Sequence, residues 1–89
     1  MKLDSWKLLF RKNWDKHFKK FDNPTQEKIL AKFEQMKQSL ASRGLHSSKY
    51  LVEEAGQYRI AFIQDNSMRT KDIHFVGNHK QYEKWLKKQ

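Results

Sequence analysis

Two short apolar runs joined by a polar turn constrain this chain most. Tyr58-Arg59-Ile60-Ala61-Phe62-Ile63 and Asp72-Ile73-His74-Phe75-Val76 flank Gln64 to Lys71, with Asp65-Asn66-Ser67-Met68 at the turn. Each run is short, rich in β-branched and aromatic residues, and bounded by turn formers, the pattern of a β-hairpin. The second run continues into Gly77-Asn78-His79-Lys80-Gln81-Tyr82-Glu83-Lys84-Trp85. An arginine within one strand is thereby followed by a His and a Tyr where the next strand ends.

Around the hairpin, the rest of the chain predicts a mixed architecture. Leu3 to Phe10 alternates at Trp6, Leu8 and Phe10 and reads as a strand, and Leu9 suggests cover on its second face. From Lys12 the period changes, and Trp14, His17, Phe18 and Phe21 predict a short amphipathic helix. A boundary follows at Asn23-Pro24-Thr25-Gln26, where Asn23 suits a cap, Pro24 the first helical position and Gln26 a capping box. Ile29, Leu30, Phe33, Met36 and Leu40 then form the apolar stripe of a second helix ending near Ser42, before Gly44. Lys49 to Glu53 is a weaker strand candidate, and Glu54-Ala55-Gly56-Gln57 a turn. His79 to Lys88 reads as a terminal helix with Tyr82, Trp85 and Leu86 on one side.

The expected fold class is α+β in the order β-α-α-β-β-β-α. It is a small four-stranded, mainly antiparallel sheet with two helices on one face and a C-terminal helix. The two consecutive helices must lie across a sheet face to bury their stripes, which leaves the opposite face partly open. At 89 residues the chain fits one domain, 1–89, with a thin core helped by an aromatic content of 13%.

Composition excludes several chemistries. There is no cysteine, hence no disulfide, no thiolate metal site and no thiol nucleophile. No apolar run approaches the roughly 20 residues that span a bilayer, and Met1 to Trp6 lacks a signal-peptide core, so the expected location is cytoplasmic, with no membrane partner. Lysine and arginine number 19 against 10 acidic residues, a formal charge of +9 that attracts polyanions. A lysine-rich surface kept for solubility, or an acidic protein partner, satisfies the same number.

Alternation puts Tyr58, Ile60 and Phe62 on one face of their strand and Arg59, Ala61 and Ile63 on the other. With the larger apolar set under the helices, Arg59 points to the open face, and His79 and Tyr82 can look back toward it. The plain alternatives are a surface arginine pairing with Glu53 or Glu54, and a helix-initial histidine with no task. His46 and His74 read as structural. A zinc site from His74 and His79 lacks a third ligand at a convincing spacing. The lysines of the two early helices read as a solvated face.

The element order, the Tyr-Arg-Ile strand entry at 58–60 and the Phe-Val-Gly-x-His-x-x-Tyr-x-x-Trp ending at 75–85 resemble the RelE/ParE superfamily of bacterial and archaeal toxins. The His79-Lys80-Gln81-Tyr82-Glu83 portion is most similar to the RelE-like and HigB-like messenger-RNA interferases. The resemblance spans nearly the whole chain in architecture, and Gln57 to Trp85 in motif. It implies a ribosome-dependent endoribonuclease of a type II toxin–antitoxin pair, acting on mRNA and silenced by a cognate antitoxin with an acidic or amphipathic segment. By position, Arg59 matches the strand arginine that contacts the scissile phosphate, His79 the post-strand Arg or His, Tyr82 the C-terminal tyrosine, and Lys49 a basic residue of the preceding strand. RNA contacts are expected from Lys80, Lys84 and Arg43.

In such chemistry the RNA 2′-hydroxyl attacks the adjacent phosphorus. Arginine suits the developing charge because its planar fork grips two phosphate oxygens. An imidazole near pH ~6.5 suits proton donation to the leaving 5′-oxygen. Glu53, Glu54 or Lys49 are candidates for the base. No metal, cofactor or small-molecule partner is implied. The alternatives are a ParE-like toxin that poisons gyrase, and a non-enzymatic basic module that binds RNA or protein.

Overall fold

The computed structural model describes residues 5–38 and 50–89. Strand β1 (Lys7–Phe10) leads through a turn and a short 3-10 segment (Phe18–Lys20) into helix α1 (Asn23–Gln38). Strands β2 (Leu51–Ala55), β3 (Tyr58–Asp65) and β4 (Thr70–Asn78) follow, then helix α2 (His79–Lys87). The sheet order is β1-β4-β3-β2, with β1 parallel to β4 and the other pairs antiparallel. This is the α+β class and the mainly antiparallel four-stranded sheet that patterning predicts. Among the described residues, no helix is long and apolar enough to cross a membrane.

The main core lies between α1 and one face of the sheet. Ile29, Phe33 and Met36 of α1 pack on Leu51, Ala55, Ile60, Phe62, Ile73 and Val76. The Ile60 and Phe62 face assigned by alternation is therefore the helix-covered one. Leu30 departs from the expected stripe and is 47% exposed. Leu40 and the expected helix end at Ser42 lie outside the described residues.

Three expectations change in the N-terminal half. The first predicted helix does not form as an α-helix: 12–17 is a series of turns, and only Phe18–Lys20 is helical, of the 3-10 kind. Asn13, at φ +68°, interrupts the backbone one residue before the apolar pattern starts. Trp14, Phe18 and Phe21 still reach the α1-side core, whereas His17, expected on the same face, turns to Phe75 on the other side of the sheet. The cap of α1 is shifted by one residue. The Asp22 carboxylate accepts from the Thr25 N–H at 3.1 Å, which places Pro24 second in the helix. Gln26 is then too far along for a capping box, and its side chain donates instead to the Phe18 carbonyl at 3.0 Å. The strand predicted over Leu3 to Phe10 begins at Lys7 within the described residues, and Leu9 is 39% exposed, so its second face is not covered.

The hairpin strands are longer than their apolar runs. Lys71, read as part of the polar turn, lies inside β4 and is fully buried. Its ammonium donates to the Met36 carbonyl at 2.8 Å in the last turn of α1 and lies 5.0 Å from the Trp6 ring centroid. Burial pushes its pKa below the usual lysine value. Opposite Ala61 and Phe62 the register skips His74, which makes that histidine the extra residue of a bulge.

The sheet face predicted to be partly open is covered by α2. Tyr82, Trp85 and Leu86 pack with Ala61, Phe75 and Val52, and the rings of Phe75 and Trp85 stack at 5.1 Å. Their apolar stripe is as anticipated; its destination is the sheet, because Ala61 and Phe75 leave an apolar strip there that water would otherwise wet.

Candidate active site

Arg59 is presented by β3 on the α2 face of the sheet. Its neighbour across β2 is Glu54, and across β4 it is Gly77. The β2–β3 hairpin is closed by Gly56-Gln57, with Gly56 at φ +62°, the positive value a glycine adopts freely. That tight turn sets Glu54 opposite Arg59. The Arg59 Nε lies 3.6 Å from a Glu54 carboxylate oxygen, a loose pair that leaves Arg59 partly exposed.

Helix α2 supplies the wall. Asn78 accepts from the Gln81 N–H and the Gln81 side chain accepts from the Asn78 N–H, both at 2.8 Å. This reciprocal capping box starts the helix immediately after β4. Gly77 permits the join: a Cβ there would meet Phe75 Cζ at 2.6 Å and Gln81 Oε1 at 2.9 Å. Tyr82, one turn on, is buried, and the Arg59 guanidinium lies over its ring at 5.3 Å. Burial raises the Tyr82 pKa, with Arg59 opposing. The phenol therefore stays protonated near neutral pH.

These residues border an open cleft of about 750 Å³, lined also by Lys32, Glu53, Glu83 and Leu86. Lys32 is paired with Glu53 at 3.3 Å on the rim. His79 does not line the cleft. It sits exposed on the first turn of α2, its Nε2 2.8 Å from a Glu83 carboxylate oxygen, and reaches the cleft wall through that residue.

The structure thus brings Arg59 and Tyr82 into contact and leaves His79 at the rim. Lys80 and Lys84 are exposed on α2. Lys49 and Arg43 lie outside the described residues. The pairing of Arg59 with Glu54, weighed as the plain alternative, is present, and Trp85 is a packing anchor beneath Tyr50 and Phe75. Glu83 was missed, although His79-x-x-x-Glu83 is an i,i+4 pairing legible in the sequence. His74 stands beside Asp72 and Tyr50. Among the described residues, no three His, Cys, Asp or Glu side chains gather as a metal site would require.

Chemically, the cleft offers a guanidinium held on an aromatic ring, a carboxylate within reach of it, and an imidazole–carboxylate pair at the edge. Such a set can bind one phosphate and move protons on either side of it.

No protein-family model matches the chain, and no curated protein matches its sequence. Solved structures do resemble it. An arginine-to-alanine double variant of Escherichia coli toxin RelE in the free state superposes with a TM-score of 0.69 at 15% identity, covering 92% of each chain. A RelBE toxin–antitoxin complex from Mycobacterium tuberculosis gives 0.67 at 14% identity, covering 88% of this chain and 95% of that one. The intact E. coli RelBE complex gives 0.64 at 14% identity, covering 83% and 96%. Coverage is nearly complete on both sides while sequence identity is slight, so the likeness is one of architecture. The fold of this chain is that of the RelE toxins.

Proposed function

We propose that the chain is a RelE-like toxin that cleaves mRNA on the ribosome and is silenced by a cognate antitoxin. The observation that carries this reading is the Arg59 guanidinium over Tyr82, facing Glu54, in a fold shared with RelE toxins. Glu54 accepts the proton of the 2′-hydroxyl, whose oxygen bonds to phosphorus as the P–O5′ bond breaks. The products are a 2′,3′-cyclic phosphate and a 5′-hydroxyl. Arg59 exchanges its loose carboxylate partner for two phosphate oxygens and stabilises the added charge. His79, held by Glu83, donates a proton to the leaving oxygen. Tyr82 supports the guanidinium from beneath. Lys80, Lys84 and Arg43 steady the strand, and Lys49 adds charge. The antitoxin covers the Arg59 cleft with an acidic or amphipathic segment; RelE-fold neighbours occur in complexes with RelB antitoxin.

The test is induced expression of wild type, Arg59→Ala and His79→Ala, with primer extension on cellular transcripts. New 5′ ends with wild type, absent with Arg59→Ala, are expected. Growth arrest without new ends overturns the nuclease reading. Loss of gyrase supercoiling in that case assigns a ParE-like activity, and RNA binding that survives both substitutions without product assigns a non-enzymatic module.

A further inference from the structure

We infer that a second cleft, on the other side of α2 from Arg59, is a binding track for single-stranded RNA. The helix divides two hollows. Tyr82, Glu83 and Leu86 face the Arg59 cleft, while Gln81, Lys84, Trp85 and Lys88 line the second, of about 590 Å³. Its opposite wall is the turn segment after β1. Strand β1 pairs with β4 only as far as Ile73, and beyond that point the turns of 12–17 take its place beside β4. Lys12, Lys16 and His17 there face Lys84, Lys88 and Trp85 of α2.

The two hollows differ in charge. The Arg59 cleft has two cations against three carboxylates, Glu53, Glu54 and Glu83. Such a wall can position one phosphate but adds no net attraction for a longer strand. The second cleft has four lysines and no lining carboxylate. Asp72, beside His74 on its floor, is engaged by Arg11 at 2.7 Å. Burial, Lys16 and Lys20 lower the His17 pKa below the usual imidazole value, and its ring stands edge-on to Phe75 at 5.6 Å. The floor is therefore aromatic beneath a rim of ammonium groups, the combination that tracks a phosphodiester strand while tolerating any base. The two clefts are separated by about one helix diameter, 10–12 Å. Lys80, exposed at the head of α2, lies on the way around it. A strand held in the lysine cleft thus delivers a neighbouring phosphate to Arg59. The inference takes the identity of the polyanion from the RNA-cleaving reading, but its test needs no cleavage.

The probe is a fluorescent single-stranded RNA made uncleavable by 2′-O-methylation, titrated against wild type by anisotropy over a range of salt. Lys12→Glu/Lys16→Glu and Lys84→Glu/Lys88→Glu each lose about tenfold or more in affinity. For each pair, the slope of log affinity against log salt falls by about 1.4. Lys19→Glu/Lys20→Glu, exposed lysines outside the cleft, make the same change in net charge and lose less than about threefold. Glutamine replacements of the same pairs follow this order if charge reversal disturbs folding. Equal losses in cleft and control variants, or no loss in the cleft variants, overturn the inference. So does unchanged RNA binding combined with lost binding of polyglutamate, which assigns the cleft to an acidic protein. Cleft-dependent RNA binding with no transcript cleavage in cells leaves the track standing and removes the nuclease reading.

Discussion

The guanidinium carbon of Arg59 lies 5.3 Å from the centroid of the Tyr82 ring, joining the middle of the sheet to the first turn of α2. The tyrosine is buried, so its contribution to the site is the ring face rather than an exposed hydroxyl. Tyr82→Phe is expected to keep transcript cleavage within about threefold, since a phenyl face still attracts the cation. Tyr82→Ala opens a cavity under α2 and is expected to cost about 3–5 kcal/mol in urea unfolding. A loss of about 100-fold in Tyr82→Phe at unchanged stability would show that the hydroxyl touches the substrate.

Glu54 competes with phosphate for Arg59 and, in the proposed mechanism, takes the proton of the nucleophile. These roles predict opposite effects of Glu54→Gln on two measurements. Binding of uncleavable RNA tightens, because a carboxylate facing the phosphate is gone. Single-turnover cleavage slows by about 100-fold or more, the usual worth of a positioned base. If cleavage persists at wild-type rate, Glu54 is only the salt-bridge partner of Arg59.

Gly77 lies opposite Arg59 and beneath the Phe75 ring. An added methyl would meet that ring at 2.6 Å. The ring is itself stacked against Trp85 and edge-on to His17, so it cannot retreat cheaply. Gly77→Ala is expected to cost about 1–3 kcal/mol and to alter the aromatic near-ultraviolet circular dichroism. Unchanged unfolding midpoint and spectrum would show that the ring moves freely.

Lys71 makes stability depend on alkaline pH. Its folded pKa lies below the usual 10.5 because burial disfavours the ammonium. Between the folded and unfolded values the unfolded chain binds more protons, so the Lys71 contribution to stability rises with pH across that window. Urea unfolding of wild type and Lys71→Met, compared from neutral pH to about 10, is expected to move in favour of wild type as pH climbs. Lys71→Ala loses the same contact to the Met36 carbonyl as Lys71→Met and leaves a void as well, and is expected to be the less stable of the two substitutions throughout. A pH-independent difference between wild type and Lys71→Met would place the ammonium in contact with solvent.

Much of the fold was legible because its signals are local. The alternation over Tyr58 to Ile63 assigned Ile60 and Phe62 to the helical face and Arg59 to the other, and the helix periods found α1 and α2. Capping was partly misread. Asp22 caps α1 where Asn23 had been favoured, since two adjacent Asx residues before a proline are equivalent in pattern and differ only in the direction their side chains take. The turns at 12–17 were read as helix because Trp14, Phe18 and Phe21 keep helical spacing, which a folded-back loop packing on the same core also satisfies.

The chain's own residues, taken in order, determined the element types from α1 onward, the helix-covered face of β3 and the presence of an arginine, a histidine and a tyrosine within reach of one strand end. Only the packed molecule decided that α2 would cover the sheet, that Glu54 and Glu83 would flank Arg59, that His79 would stay at the rim, and that a lysine from the turn region would be drawn inside. Periodicity reports which side of an element avoids water. Which distant groups meet there depends on register, on a bulge at His74 and on the close approach at Gly77, all set by contacts between segments far apart in sequence.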